Sequence, residues 1–147
     1  MDNLYKIAAA AAGAVMSFFT GLPPLACVLL AMMGLDYVTG LLTGMAGVSS
    51  KTEGGKLSSS AAFVGLMRKG AIIVVVLVGV LVDLAVQTSS GVQFNAVTGS
   101  ICLWFIASEG VSVLENAAEL GVPIPGILRR ALEVLKDGSG DGEDKTE

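Results

Sequence analysis

Gly70-Ala-Ile-Ile-Val-Val-Val-Leu-Val-Gly-Val-Leu-Val-Asp-Leu-Ala-Val-Gln87 is a run of 18 residues holding one charge, Asp83. A helix climbs about 1.5 Å per residue, so roughly 20 mostly apolar residues cross the hydrocarbon core of a bilayer. This stretch therefore reads as a membrane span. The whole chain agrees, because 53% of its 147 residues are hydrophobic and only 15% are charged, far from soluble proportions.

Two further strong runs lie on either side. One extends from about Leu25 to Val48 and holds Asp36; the other extends from about Asn95 to Leu120 and holds Glu109 and, nearer its end, Glu115. A fourth, Ile7 to Thr20, is short and Ala-rich. Lys6 in front of it gives it the look of a signal peptide, but another apolar run starts at once with no clear cleavage site, so we read it as retained. Thr20-Gly-Leu-Pro-Pro24 breaks the helix between the two, since proline lacks a donor and restricts the residue before it. Gly121 is a natural helix stop and Val122-Pro-Ile-Pro125 an elbow. Beyond them Ile127, Leu128, Ala131, Leu132 and Leu135 recur at helical spacing opposite Arg129, Arg130, Glu133 and Lys136, which suits a membrane surface. The last residues, Asp137 to Glu147, carry five acids, one lysine and no apolar side chain, too little to offset the entropy of ordering. The expected fold is thus an all-α membrane protein. It has three to four transmembrane helices (about 7–20, 25–48, 70–87 and 95–120), an amphipathic interfacial helix at 126–136, and a disordered acidic tail at 137–147.

Lysine and arginine are retained on the cytoplasmic side of a membrane. With four spans and the N-terminus inside, Lys6, then Lys51, Lys56, Arg68 and Lys69, then Arg129, Arg130, Lys136 and Lys145 all fall inside, which is every one of the nine basic residues. The outer connections, Thr20 to Pro24 and Thr88 to Asn95, hold no charge. If Ile7 to Thr20 lies along the surface instead, three spans remain and the basic loop and C-terminus still come out cytoplasmic.

Catalytic chemistry finds little to work with. Histidine is absent, and Cys27 and Cys102 both lie inside apolar runs, where a thiol is ordinarily a packing residue. There is no phosphate loop, no metalloprotease or nucleophile-elbow motif and no basic aromatic patch for nucleic acid. The reading is of a non-enzyme without metal or cofactor. Its polar positions are the informative ones, because an ionised carboxylate at mid-span costs about 2.5 to 3.5 kcal/mol. Asp83 lies near the end of its run, whereas Asp36 and Glu109 sit deeper. On the face of Asp36, residues three, four, seven and eight further on are Thr39, Gly40, Thr43 and Gly44, so this face is polar and small. Gly40 and Gly44 have the spacing that lets helix backbones approach closely. Around Glu109 the same counting finds Ser112 and Asn116 on one side, Phe105 and Cys102 on the other. These eight positions, Asp36, Thr39, Gly40, Thr43, Gly44, Glu109, Ser112 and Asn116, are the candidate surfaces for helix packing, either between copies or within one chain.

The stretches Leu35-Asp-Tyr-Val-Thr-Gly-Leu-Leu42, Lys51-Thr-Glu-Gly-Gly-Lys-Leu-Ser58 with Gly65-Leu-Met-Arg-Lys69, and Ala107 to Pro125 with its Asn-Ala-Ala-Glu-Leu-Gly-Val-Pro-Ile-Pro ending resemble the toxin secretion/phage lysis holin family. The likeness covers roughly Ile7 to Lys136. It implies a small protein of the bacterial host's cytoplasmic membrane that forms homo-oligomers in the lipid bilayer. At a set time these open lesions that release a cell-wall hydrolase (endolysin) or toxin; no catalytic residue is implied. By position, Asp36, Tyr37, Thr39 and Gly40, with Glu109, Gly110, Glu115 and Asn116, correspond to the family's polar signature. The acidic tail departs from it, since many holins end in a basic run. Two other functions are compatible with the residues themselves: an antiholin-like regulatory membrane partner, and a small-solute or ion transporter whose deep acids bind cargo, for which internal repeats would be expected and none is convincing.

Overall fold

Each of the three strong apolar runs forms one helix in the computed structural model, which describes residues 5–7, 9–10, 13 and 23–140. We label them α1 (Pro24–Ala46), α2 (Ser59–Ser90) and α3 (Ala96–Glu119), followed by α4 (Gly126–Gly140). All three are long and apolar enough to cross a membrane. No strand occurs among the described residues, so the chain is an all-α membrane protein. Of the expected first span, only residues 7, 9, 10 and 13 are described, and all are helical; the rest lies outside the described residues.

The ends follow from local chemistry. Pro24 starts α1 at a position where a missing N–H costs nothing. Gly47, at φ 74°, turns the chain out of the helix, and the Gly47 and Val48 amides close back on the Gly44 and Thr43 carbonyls. Gly121 does the same after α3, at φ 82°. α2 begins eleven residues before the expected Gly70, because Ser58 accepts a hydrogen bond from the Ala61 amide and caps it there. That extension carries Arg68 and Lys69 into the helix instead of leaving them in the loop. α4 likewise runs past the expected Lys136 to Gly140; residues 141–147 of the acidic tail lie outside the described residues.

The helices bury little against one another. Leu29, Met33, Cys102 and Ile106 form the core, with Ile72, Val76 and Phe105 packed on it. Gly79 permits close approach of α2 to α3, since a Cβ there would meet the Ile101 side chain at 2.8 Å. Meanwhile Ile73, Val74, Leu77, Leu81 and Leu84 on α2 are 45–63% exposed. Water would not tolerate so broad an apolar surface, but lipid tails solvate it as well as another helix does.

Asp83 holds the α2–α3 hairpin together at its turn. Asn95, at the start of α3, offers no side-chain cap. Instead both oxygens of Asp83, which is 5% exposed, accept hydrogen bonds from α3's first amides, Val97 at 3.1 Å and Thr98 at 2.8 Å. A carboxylate here also meets the positive end of the helix dipole. Asp83→Leu is expected to destabilise the purified protein by about 1–2 kcal/mol, with Asp83→Asn less damaging because one acceptor oxygen remains. Equal stability of the leucine variant in a denaturant titration would remove this cap from the account.

Candidate functional site

The polar face of α1 is turned against α3. Asn116 is fully buried there, and its amide nitrogen donates to Asp36 Oδ1 at 3.1 Å and to Thr39 Oγ1 at 2.9 Å. Thr39 can accept because its own proton goes to the Leu35 carbonyl, at 2.8 Å. Gly40 makes the room: even a Cβ at that position would lie 3.7 Å from the Asn116 nitrogen.

Two lysines close this seam. Lys69 of α2 donates to Asp36 Oδ2 at 2.9 Å and also to Glu109 of α3. Lys51, from the connection between α1 and α2, donates to Ser112 Oγ at 2.9 Å and Asn116 Oδ1 at 3.0 Å, and its ammonium lies 3.9 Å from Asp36 Oδ1. Two carboxylates and two ammonium groups therefore balance. Asp36, Lys69 and Glu109 each sit ten residues from the end of their helix nearest the 47–58 connection, about 15 Å along the axis. Their side chains are 11–17% exposed. Desolvation of charges so buried between helices is costly, and it is offset only by mutual pairing and hydrogen bonding, so the groups depend on one another.

Six of the eight expected positions meet in this seam: Asp36, Thr39, Gly40, Glu109, Ser112 and Asn116. The other two, Thr43 and Gly44, lie one turn further along α1. Thr43 is fully buried and returns its hydroxyl to the Gly40 carbonyl at 2.8 Å, while Gly44 faces Leu57, whose Cα would be 3.0 Å from an added Cβ. The packing seen here is within one chain. Gly44→Ala is accordingly expected to lower stability, by about 1–3 kcal/mol as an overpacked contact, whereas Gly40→Ala stays within about 1 kcal/mol of the parent. Denaturant midpoints in the same micelle, in the reverse order, would contradict these contacts.

Lys69 and Lys51 were not among the expected site residues. Counted among the cytoplasmic positive charges, they read as loop residues, and only the early start of α2 brings Lys69 inward. The signal available was charge balance: two deep acids on separate helices require cations, and Lys69 adjoins the apolar run. Both carboxylates of the seam are engaged by lysine, and its hydrogen bonds and ion pairs join α1, α2 and α3.

A family profile described as the bacteriophage holin family matches residues 13–137, most of the chain and the whole of the seam. The chain belongs to the bacteriophage holin family. It is similar to an uncharacterized protein of Clostridium perfringens, with 39% identity over 109 residues that cover 74% of this chain and 73% of the relative. An uncharacterized protein of Listeria innocua is 30% identical over 146 residues, covering 99% and 96% of the two chains. A probable holin of Bacillus phage phi105 is 30% identical over 115 residues, covering 78% and 79%. No solved structure matches. This is therefore a holin-type membrane protein of phage lysis, and membership in the family points away from catalysis.

Proposed function

We infer that this holin oligomerises in the bacterial cytoplasmic membrane and opens lesions through which a cell-wall hydrolase (endolysin) or a toxin leaves the cell. The observation that supports this reading is the direction of its polar groups. Within one chain the deep polar side chains are turned on one another across the α1–α3 seam, and most of the exposed surface of the spans is apolar, Arg68 and Glu115 being exceptions. A single copy in this state dissolves in lipid and has nothing to line a watery path. A lesion requires many copies whose polar faces are redirected toward water, and the broad apolar surface of α2 leaves ample area for neighbours. The apolar side of α4, with Ile127 and Val134 uncovered, suits the membrane surface.

Induced expression in a bacterium carrying a cytoplasmic wall hydrolase tests the function. Abrupt hydrolase release with collapse of membrane potential is expected. Ion leakage alone would favour a transporter, and neither response would favour an antiholin-like partner.

The proposed orientation places the 47–58 connection and the C-terminus in the cytoplasm and the α2–α3 turn outside. Cysteines introduced at Ser90 and Lys56, both exposed, in a chain lacking Cys27 and Cys102, are expected to react from outside and inside respectively. Labelling of position 56 by an impermeant reagent in intact cells, before any lesion opens, would invert the topology.

A further inference from the structure

α1 and α2 both lean on α3 but touch each other little, and between them lies a half-open cavity of about 750 Å³. Its size falls within the range of small-molecule sites, roughly 300–1,000 Å³. Apolar side chains, among them Leu41, Leu57, Ile72 and Phe105, line much of it, together with Arg68. The charges around it differ in how they are occupied. Lys69, Asp36 and Glu109 bind one another, and Lys51 spends two of its three donors on Ser112 and Asn116. Arg68 is exposed and forms no ion pair or hydrogen bond among the described residues.

A permanently charged guanidinium on a membrane helix requires an anion or water. Its level along α2 selects the anion. Asp83 is level with the start of α3 through Val97 and Thr98. Arg68 lies fifteen residues from it, about 22 Å along the axis, and its long side chain reaches further toward the 47–58 end. In a hydrocarbon core about 30 Å thick that begins near the start of α3, the guanidinium thus arrives at the headgroup boundary of the opposite leaflet. Lipid phosphates lie there, and basic pockets between spans are suited to anionic headgroups. The geometry points to an anionic phospholipid bound between α1 and α2, its phosphate held by Arg68 through paired hydrogen bonds and its acyl chain filling the apolar part of the cavity. This inference needs only that the chain resides in a membrane, and it stands or falls separately from lesion formation.

The test uses the full-length protein purified in detergent and loaded with phosphatidylglycerol or with phosphatidylcholine of the same acyl chains, with retained lipid read by native mass spectrometry. The parent is expected to keep phosphatidylglycerol about tenfold better. Arg68→Gln should lose that preference. Gly65→Leu should lose it too, because Gly65 lines the cavity with open space beyond its Cα, so a leucine there occupies the acyl slot while leaving Arg68 intact. Arg129→Gln, on exposed α4 and outside the cavity, should retain it. Helicity by circular dichroism confirms that each variant is folded. Undiminished preference in Arg68→Gln overturns the site. Loss in Arg68→Gln but not in Gly65→Leu overturns the cavity as the place of binding. Displacement by millimolar inorganic phosphate would mean that a free anion, rather than a lipid, is the occupant.

Discussion

Lys69→Met is expected to cost about 3–5 kcal/mol, because it leaves Asp36 and Glu109 facing each other without their shared cation. Deep inside a bundle, two carboxylates so placed repel one another and have lost the donor that each was using. Methionine keeps much of the length and apolar bulk of lysine, so lost packing contributes little to the effect. In cells the variant should accumulate poorly, and in micelles it should unfold at much lower denaturant. The informative control removes the charge on all three residues at once. In Lys69→Met with Asp36→Asn and Glu109→Gln, none of the three charges remains to be desolvated, while the half-exposed Lys51 keeps its bonds to Ser112 and Asn116, and most of the loss should be regained. A single variant as stable as the parent would show that the triad does not hold the helices. A triple variant no better than the single would show that hydrogen bonding, not charge, carries the effect.

Gly40→Leu is expected to be nearly as severe, at about 2–4 kcal/mol, for a different reason. A Cβ alone fits beside Asn116, but a branched side chain does not. It must push the Asn116 amide away from Asp36 and Thr39, leaving buried polar groups without partners while overfilling the seam. Membrane accumulation should fall along with lysis. The same variant decides what the face is for. If α1 instead meets a second copy through this surface, Gly40→Leu will accumulate normally and insert a more apolar span, yet it will lose the higher bands of a crosslinking ladder and delay lysis. Abundance and crosslinking measured on the same cells separate the two outcomes, and normal abundance would refute the packing within the chain as the role of this glycine.

Much of this protein is legible without coordinates because lipid imposes simple rules. Backbone polar groups inside a bilayer must be satisfied within the protein, and only a helix does this within one segment, so an isolated 18-residue apolar run such as that from Gly70 to Gln87 reads as helix. Gly121 and the double-proline elbow after it announced the end of α3 through the same local chemistry that ends it. Periodicity alone put Asp36, Thr39 and Gly40 on one face, and Ser112 and Asn116 near Glu109. What periodicity does not carry is the partner of a face. The choice between packing within a chain and packing between copies rests on which helices approach, and nothing in the spacing of α1 points to Asn116, eighty residues away.

The all-α membrane class and the approximate place of the three long apolar helices were thus determined by composition and helical period, which are properties of a few neighbouring residues. Tertiary structure alone decided how the charges are neutralised. Lys69 reads as the last residue of a basic loop until Ser58 starts α2 early and carries it ten residues into the helix, level with Asp36 and Glu109. Asp83 reads as an acid near a span end until the hairpin brings two unpaired amides of α3 to its carboxylate. In both cases the reason is the same: an electrostatic partner is chosen by proximity in space, and three helices crossing at depth create proximities between residues far apart along the chain.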